Sequence, residues 1–232
     1  CGQFVEFLCD LVQGMYAEMV YDGSFEGLLP YKREFIREKD FCEEPWYPSG
    51  AVHRGEYKID PDNRFNGNVS QRIKSRSDFP CTLGISQDGM FIRRGQTYIF
   101  SCFLCQEGIS SPVTVRLGKN SKTHAQYQFT NVKDGWEKFR TSLVSNRSDD
   151  NATLTIEFQA PGTLWIDKVS LMPENNVNGW RVDVVRAVRA LRPSIIRFGG
   201  STVESYEWIE GIGDPDLRVP FTTPWGGLEP NN

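Results

Sequence analysis

Two stretches of the sequence combine polar side chains with a backbone that would present them. The first is Arg192-Pro-Ser-Ile-Ile-Arg-Phe-Gly-Gly-Ser-Thr-Val-Glu-Ser-Tyr-Glu-Trp208. Pro193 ends what precedes it, the apolar run of Ile195, Ile196 and Phe198 reads as a buried strand, and Gly199-Gly200 turn the chain. Ser201, Glu204, Tyr206 and Trp208 follow at once. In an α/β protein the end of a parallel strand is where side chains meet a ligand, and the alternative is a glycine turn between two core elements. The second stretch is Gly2-Gln-Phe-Val-Glu-Phe-Leu-Cys9, an apolar strand interrupted by one carboxylate, Glu6. An unpaired buried carboxylate costs roughly several kcal/mol, so Glu6 needs a ligand or a cationic partner such as Arg197.

Bulk properties narrow the class of ligand. The net charge of -4 is mild and no dense Lys/Arg run occurs, which disfavours nucleic acid and anionic membrane surfaces and suits neutral substrates. There is no apolar segment long enough to span a bilayer, and Glu6, Asp10 and Glu18 interrupt what would be a signal-peptide core. The chain reads as soluble, without a targeting segment. It starts at Cys1 inside a patterned stretch and ends on Glu229-Pro-Asn-Asn232 without a closing element, which reads as a fragment cut at both ends. The six cysteines have no zinc-type spacing. Cys102 and Cys105 fall in a strand-like run that points them to opposite faces, so free buried thiols are expected. Asn68-Val-Ser, Asn146-Arg-Ser and Asn151-Ala-Thr have the form of N-glycosylation acceptors.

The elements that would position these residues come in three blocks. Residues 1–30 hold the Glu6 strand and a short helical or irregular piece from Gly14 to Gly27. Residues 31–173 break into eight period-two segments, Val69–Ile73, Met90–Ile92, Gln96–Leu104, Val113–Leu117, Ala125–Phe129, Trp136–Leu143, Ala152–Phe158 and Thr163–Leu171, separated by Asn, Asp, Gly and Pro. That spacing indicates an antiparallel β-sandwich, with Trp136 and Trp165 expected in its core. In residues 174–232 the period switches. Val182, Val185, Val188 and Leu191 mark one face of an amphipathic helix stopped by Pro193, and the Ser194 to Phe198 strand follows. The layout is a sandwich inserted into the start of an α/β domain.

These residues resemble the N-terminal part of glycoside hydrolase family 51 α-L-arabinofuranosidases that carry an inserted carbohydrate-binding-module-like sandwich. The resemblance rests on Gly2-Gln-Phe-Val-Glu6, Gly14-Met-Tyr-Ala-Glu18, Ser24-Phe-Glu26, Trp180 to Pro193, Arg197-Phe-Gly-Gly-Ser201, Tyr206-Glu-Trp208, Gly211-Ile-Gly-Asp-Pro215 and Trp225-Gly-Gly-Leu-Glu-Pro-Asn231. Within the insert, Gly95 to Ser101, Trp136-Glu-Lys-Phe139 and Gly162 to Leu171 are similar to the jelly-roll modules of carbohydrate-binding families 4 and 9. The family usually has a proline before the two glycines and Asn or Cys after them, whereas Phe198 here runs directly into Gly199-Gly200-Ser201; a related sugar specificity is the alternative.

The resemblance implies a multi-domain fold, a jelly-roll β-sandwich inserted into the start of an incomplete (β/α)8 TIM barrel. It implies a retaining hydrolase that releases terminal α-L-arabinofuranosyl groups from plant polysaccharides, with no cofactor or metal. Both catalytic carboxylates would lie on later strands, past Asn232, leaving this chain inactive by itself. The expected substrate contacts are Phe4 and Trp225 as apolar faces, Glu6 as acceptor of sugar hydroxyls, and Ser201 at the strand end. Tyr206 and Trp208 would be support. Asp167 resembles a position near the calcium site of some such modules. The partner would be an arabinose-containing oligo- or polysaccharide, and that substrate favours a secreted or periplasmic location. The reading from another class is a non-catalytic carbohydrate-binding or structural β-sandwich module.

Overall fold

A computed structural model describes residues 2–6, 14–27, 45–199, 207–218, 221–222 and 228–229. Its strands are β1 (Gly2–Glu6), β2 (Tyr47–Gly50), β3 (Gly55–Asp60), β4 (Ser70–Ser75), β5 (Thr82–Ile92), β6 (Thr97–Glu107), β7 (Val113–Lys119), β8 (Lys122–Phe129), β9 (Glu137–Val144), β10 (Asp149–Gln159), β11 (Thr163–Pro173), β12 (Ile195–Gly199), β13 (Phe221–Thr222) and β14 (Leu228–Glu229). A helix, α1 (Val182–Leu191), separates β11 from β12. Contacts divide the chain into two compact units, one of Met19–Gly27 with Cys42–Leu171 and the other of Cys1–Glu18, Leu28–Phe41 and Met172–Asn232.

The first unit is a β-sandwich of two five-stranded sheets, ordered β2-β5-β10-β7-β8 and β3-β4-β11-β6-β9. Period-two patterning builds it. Ala152, Leu154, Ile156 and Phe158 of β10 meet Tyr98, Phe100, Cys102 and Leu104 of β6 in one core that also holds Ile73, Leu117, Leu143, Leu164 and Ile166. All eight strands expected from the sequence are present. Asn120 and Ser121, at φ +49° and +64°, close the β7–β8 hairpin as a two-residue turn with both φ positive, which asparagine tolerates. Gly84 is fixed by space: a Cβ there would stand 2.4 Å from the Ile156 carbonyl oxygen and 2.8 Å from the Glu157 Cβ.

Two features depart from the sequence expectation. Neither Trp136 nor Trp165 is in the sandwich core. Leu164 and Ile166 point inward, so alternation turns Trp165 to the outer face, where its Nε1–H donates to the Asp60 carboxylate at 2.8 Å. Trp136 likewise donates to Asn63 Oδ1 at 2.9 Å. An indole N–H has no acceptor among aliphatic side chains, and both found one outside. The second feature is the segment Met19–Gly27, which packs with the sandwich. Phe25 is buried against Trp46, the Tyr21 N–H donates to Gln87 Oε1 at 2.7 Å, and Met19 N–H donates to the Leu171 carbonyl at 3.0 Å.

In the other unit β1 and β12 pair in parallel, from Gly2 opposite Ile195 to Glu6 opposite Gly199. The chain reaches β12 through α1, the strand-helix-strand order of an α/β crossover. Arg192 caps α1 in the left-handed region at φ +46° and Pro193 follows, as the sequence predicts. No residue of α1 is fully buried. Tyr16 and Trp180 form a bridge with ring centroids 4.9 Å apart, and Arg181 Nη1 donates to the Gly14 carbonyl at 3.0 Å.

Candidate functional site

Of the residues expected to touch substrate, Glu6 is the last residue of β1 and stands opposite Gly199, the last residue of β12. Phe4 stands opposite Arg197. The parallel pairing thus brings Glu6 and Gly199 to the carboxyl ends of two neighbouring strands, 193 positions apart in sequence. Ser201, Glu204, Tyr206 and Trp225 lie outside the described residues. Trp208, expected as support, opens a 3-10 helix (Trp208–Gly211) and is 70% exposed. Glu229 pairs with Phe221 in the short β13–β14 ribbon.

The sandwich has two outer faces of different character. On the sheet β3-β4-β11-β6-β9 the loop of residues 61–69 lies over an aromatic cluster: Phe65 stacks on Phe103 at 3.5 Å between centroids and leans on Trp136 at 6.4 Å. Two aspartates hold that loop. Asp60 Oδ1 accepts the N–H groups of Asp62 and Asn63 at 3.0 and 3.3 Å. Asp167 Oδ2 accepts those of Phe65 and Asn66 at 3.1 and 3.2 Å, and its Oδ1 accepts that of Lys168 at 2.7 Å. Both oxygens of Asp167 are therefore engaged with backbone, which gives this side chain a structural task. Among the described residues no group of three or more His, Cys, Asp or Glu side chains is placed to hold a metal ion.

The sheet β2-β5-β10-β7-β8 presents instead a row of hydrogen-bonding side chains. The register sets Tyr47 opposite Ser86, Ser86 opposite Thr155, Thr155 opposite Arg116 and Arg116 opposite Gln126. Their neighbours Ile85, Ile156 and Val115 fill the core, so alternation places the row outward. Ser86 and Thr155 share a 2.9 Å hydrogen bond at only 3% and 2% exposure, with Tyr47, Arg116 and Glu157 beside them in the register. Tyr47 O–H donates to Asp88 at 2.9 Å, and Arg116 pairs with Glu157 at 3.9 Å. Sequence reading missed this face because no residue in it is unusual; only the register of five strands assembles it.

Burial pushes the carboxyl groups of Asp22 and Asp167 up to about 6, against the backbone N–H bonds each accepts. A group that binds its proton more tightly when folded contributes stability below its unfolded value near 3.8 and loses it as pH rises through about 6. Asp60 and Asp149 are held below the usual range, Asp149 by its bonds to Asn151 and His124 and Asp60 by the Trp165 indole and two backbone N–H groups acting against desolvation. Their contribution is lost in the opposite direction, as pH falls below about 4. Urea unfolding should therefore place the stability maximum near pH 4 to 5, with a loss of about 2–4 kcal/mol by pH 7.5. A midpoint that rises steadily from pH 4.5 to 7.5 would contradict this.

No protein-family model matches the chain. It is 25% identical over 92% of its length to an extracellular exo-α-L-arabinofuranosidase of Streptomyces chartreusis, of which it spans 27%, and 28% identical over 52% of its length to α-L-arabinofuranosidase 1 of Arabidopsis thaliana, of which it spans 19%. In fold, 99% of the chain superposes on 40% of an arabinose-bound GH51 α-L-arabinofuranosidase with a TM-score of 0.79 at 20% identity. The chain thus spans well under half of each of these proteins. Along nearly its whole length, in sequence and in fold, it is similar to a part of the α-L-arabinofuranosidases of glycoside hydrolase family 51.

Proposed function

We propose that the chain is the N-terminal part of a retaining glycoside hydrolase that releases terminal α-L-arabinofuranosyl residues from plant polysaccharides. The observation that carries this reading is the sequence similarity over 92% of the chain to an extracellular exo-α-L-arabinofuranosidase, and the parallel strand pair that ends at Glu6 and Gly199 supports it. In this reading β1, α1 and β12 are the first strand, first helix and second strand of a (β/α)8 barrel, whose sites lie at the carboxyl ends of its strands. Glu6 accepts hydrogen bonds from sugar hydroxyls, Phe4 and Trp225 present apolar faces, and Ser201 contacts the sugar at the strand end. Together they form the near wall of the pocket, the combination of carboxylate, hydroxyl and aromatic faces that fixes a sugar.

Retention needs two carboxylates about 5–5.5 Å apart, one nucleophile and one acid/base. Both belong to later barrel strands in this reading, so the 232-residue chain binds and does not cut. A polysaccharide substrate places the working protein outside the cell or in the periplasm. The test is hydrolysis of an aryl α-L-arabinofuranoside by the product of the reading frame extended through the later strands. Retention of configuration and turnover in the longer product, with none in the 232-residue chain, is the expected result.

A second reading, that the sandwich binds saccharide without cutting it, is favoured by the row of hydrogen-bonding side chains Tyr47, Ser86, Thr155 and Arg116 across one sheet. Its test is whether arabinoxylan oligosaccharides move the amide resonances of Ser86 and Thr155.

A further inference from the structure

At one end of the sandwich the β5–β6 turn and the β9–β10 turn are tied together. Gly95 N–H donates to the Ser145 carbonyl at 2.7 Å and Ser145 N–H to the Gln96 carbonyl at 3.1 Å. Arg94 N–H donates to Ser148 Oγ at 3.0 Å. From the core side the Tyr98 hydroxyl accepts the Arg93 N–H at 2.8 Å and donates to Gln96 Oε1 at 3.1 Å. β8 supports the second turn: the His124 carbonyl accepts the Asn146 N–H at 2.9 Å, and the His124 Nε2, on a ring only 4% exposed, is 2.9 Å from Asp149. The two turns form a rigid rim, so a ligand there would order little on binding.

Between them is an open depression of about 630 Å³, lined by Phe91, Arg93, Arg94, Ser148, Asp149 and Asp150. Phe91 is 54% exposed, with the Arg93 guanidinium 5.4 Å from its ring centroid. Among the described residues neither Arg93 nor Arg94 has a carboxylate partner, although two carboxylates line the same depression. Asp149 is taken by His124, by the Asn151 N–H at 3.0 Å and by Lys119 at 4.0 Å, whereas Asp150 has no cationic partner among the described residues. Ser148 Oγ accepts from Arg94, so its O–H remains a donor.

The depression therefore offers an exposed aromatic ring with the Arg93 guanidinium over one side of it, a second guanidinium fork in Arg94, one hydroxyl donor and one carboxylate acceptor. An anion would meet Asp150 beside the arginines, and an apolar ligand would strip water from charged groups without replacing it. A sugar matches each feature. Its ring C–H face lies on an aromatic, and each hydroxyl both donates and accepts, so a vicinal pair can bridge a guanidinium and a carboxylate. We propose that this end depression is a saccharide-binding site for neutral oligosaccharide, separate from the strand-end wall and from the polar row of the sheet face. It would hold a polysaccharide chain while another part of it is cleaved. The proposal rests on the reading of the chain as part of a polysaccharide-acting protein.

The test is a titration of the isotope-labelled 232-residue chain with arabinoxylan oligosaccharides to about 10 mM, read by amide shifts and heat. Shifts should cluster at Phe91, Arg94, Ser148 and Asp150, with Phe91→Ala weakening binding about tenfold or more and Arg94→Gln about fivefold. Both side chains are exposed, so the variants keep the wild-type circular dichroism spectrum. Raising salt to about 0.5 M should change the affinity less than twofold, because the ligand carries no charge. Three results would each overturn the proposal: no shift at these residues, undiminished binding in Phe91→Ala, or tighter and salt-sensitive binding of an oligogalacturonide. Shifts confined to Ser86 and Thr155 would assign binding to the sheet face instead. Turnover by the longer product is measured separately, so failure of this site leaves the hydrolase reading standing.

Discussion

Replacing Glu6 with Gln in the longer hydrolase is expected to lower kcat/KM for aryl α-L-arabinofuranosides by about 10²- to 10³-fold. Hydrogen bonds from sugar hydroxyls to a charged acceptor are worth roughly 1.5–3 kcal/mol each, and the amide loses the charge while keeping the shape. Bonds that tighten as positive charge develops on the sugar ring act more in the transition state than in the bound substrate, so the loss should fall mainly on kcat. Glu6 ends β1, in the other unit from the sandwich. The melting temperature should accordingly stay within about 2 °C of wild type. A drop of less than about threefold in kcat/KM would remove Glu6 from the substrate wall, and a large fall in melting temperature would make it the partner of an arginine instead.

The second large effect concerns the sandwich. Asp167→Ala should destabilise it by about 2–4 kcal/mol in urea unfolding at pH 5, because three backbone N–H groups lose their acceptor in a fully buried position. The loop of residues 61–69 would loosen with it, exposing the stacked Phe65 and Phe103 rings. Amide exchange of Phe65 and Asn66 should therefore accelerate well before that of Phe100 or Leu154 in the core. If Asp167→Ala unfolds at the wild-type urea concentration, the loop is held by its aromatic contacts and not by the carboxylate. The penalty should shrink by pH 7.5, where the wild-type carboxyl, pushed up to about 6 by burial, is ionised and costs more to keep inside.

Much of the fold was legible because apolar side chains at alternate positions have only one way to be buried. It failed where alternation slips. In β11, Leu164 and Ile166 face the core, yet so do Val169 and Leu171; Lys168 at φ +49° is the bulge that changes the parity. In β5, Leu83 and Ile85 give way to Met90 and Ile92 across polar Ser86, Gln87, Asp88 and Gly89, so the sequence shows only the last three residues of an eleven-residue strand. The strands β2 and β3 carry Pro48 and alternating charge, the marks of sheet edges. The two tryptophans were placed by hydrophobicity, whereas their N–H groups decided their position.

The candidate site was legible in part. Glu6 stands out as a lone carboxylate in an apolar strand, and the Gly199-Gly200 turn as a strand end, but only parallel pairing makes them neighbours. The end depression could not be read at all, since it depends on a bond between Arg94 and Ser148, 54 residues apart, and on which arginines have no carboxylate partner among the described residues.

Whether this chain builds one wall of an arabinofuranosidase pocket is decided by assaying the longer product and the 232-residue chain side by side on an aryl α-L-arabinofuranoside. Turnover with retained anomeric configuration is expected from the longer product and none from the shorter. Turnover by the shorter chain, inversion of configuration, or inactivity of a folded longer product would contradict it.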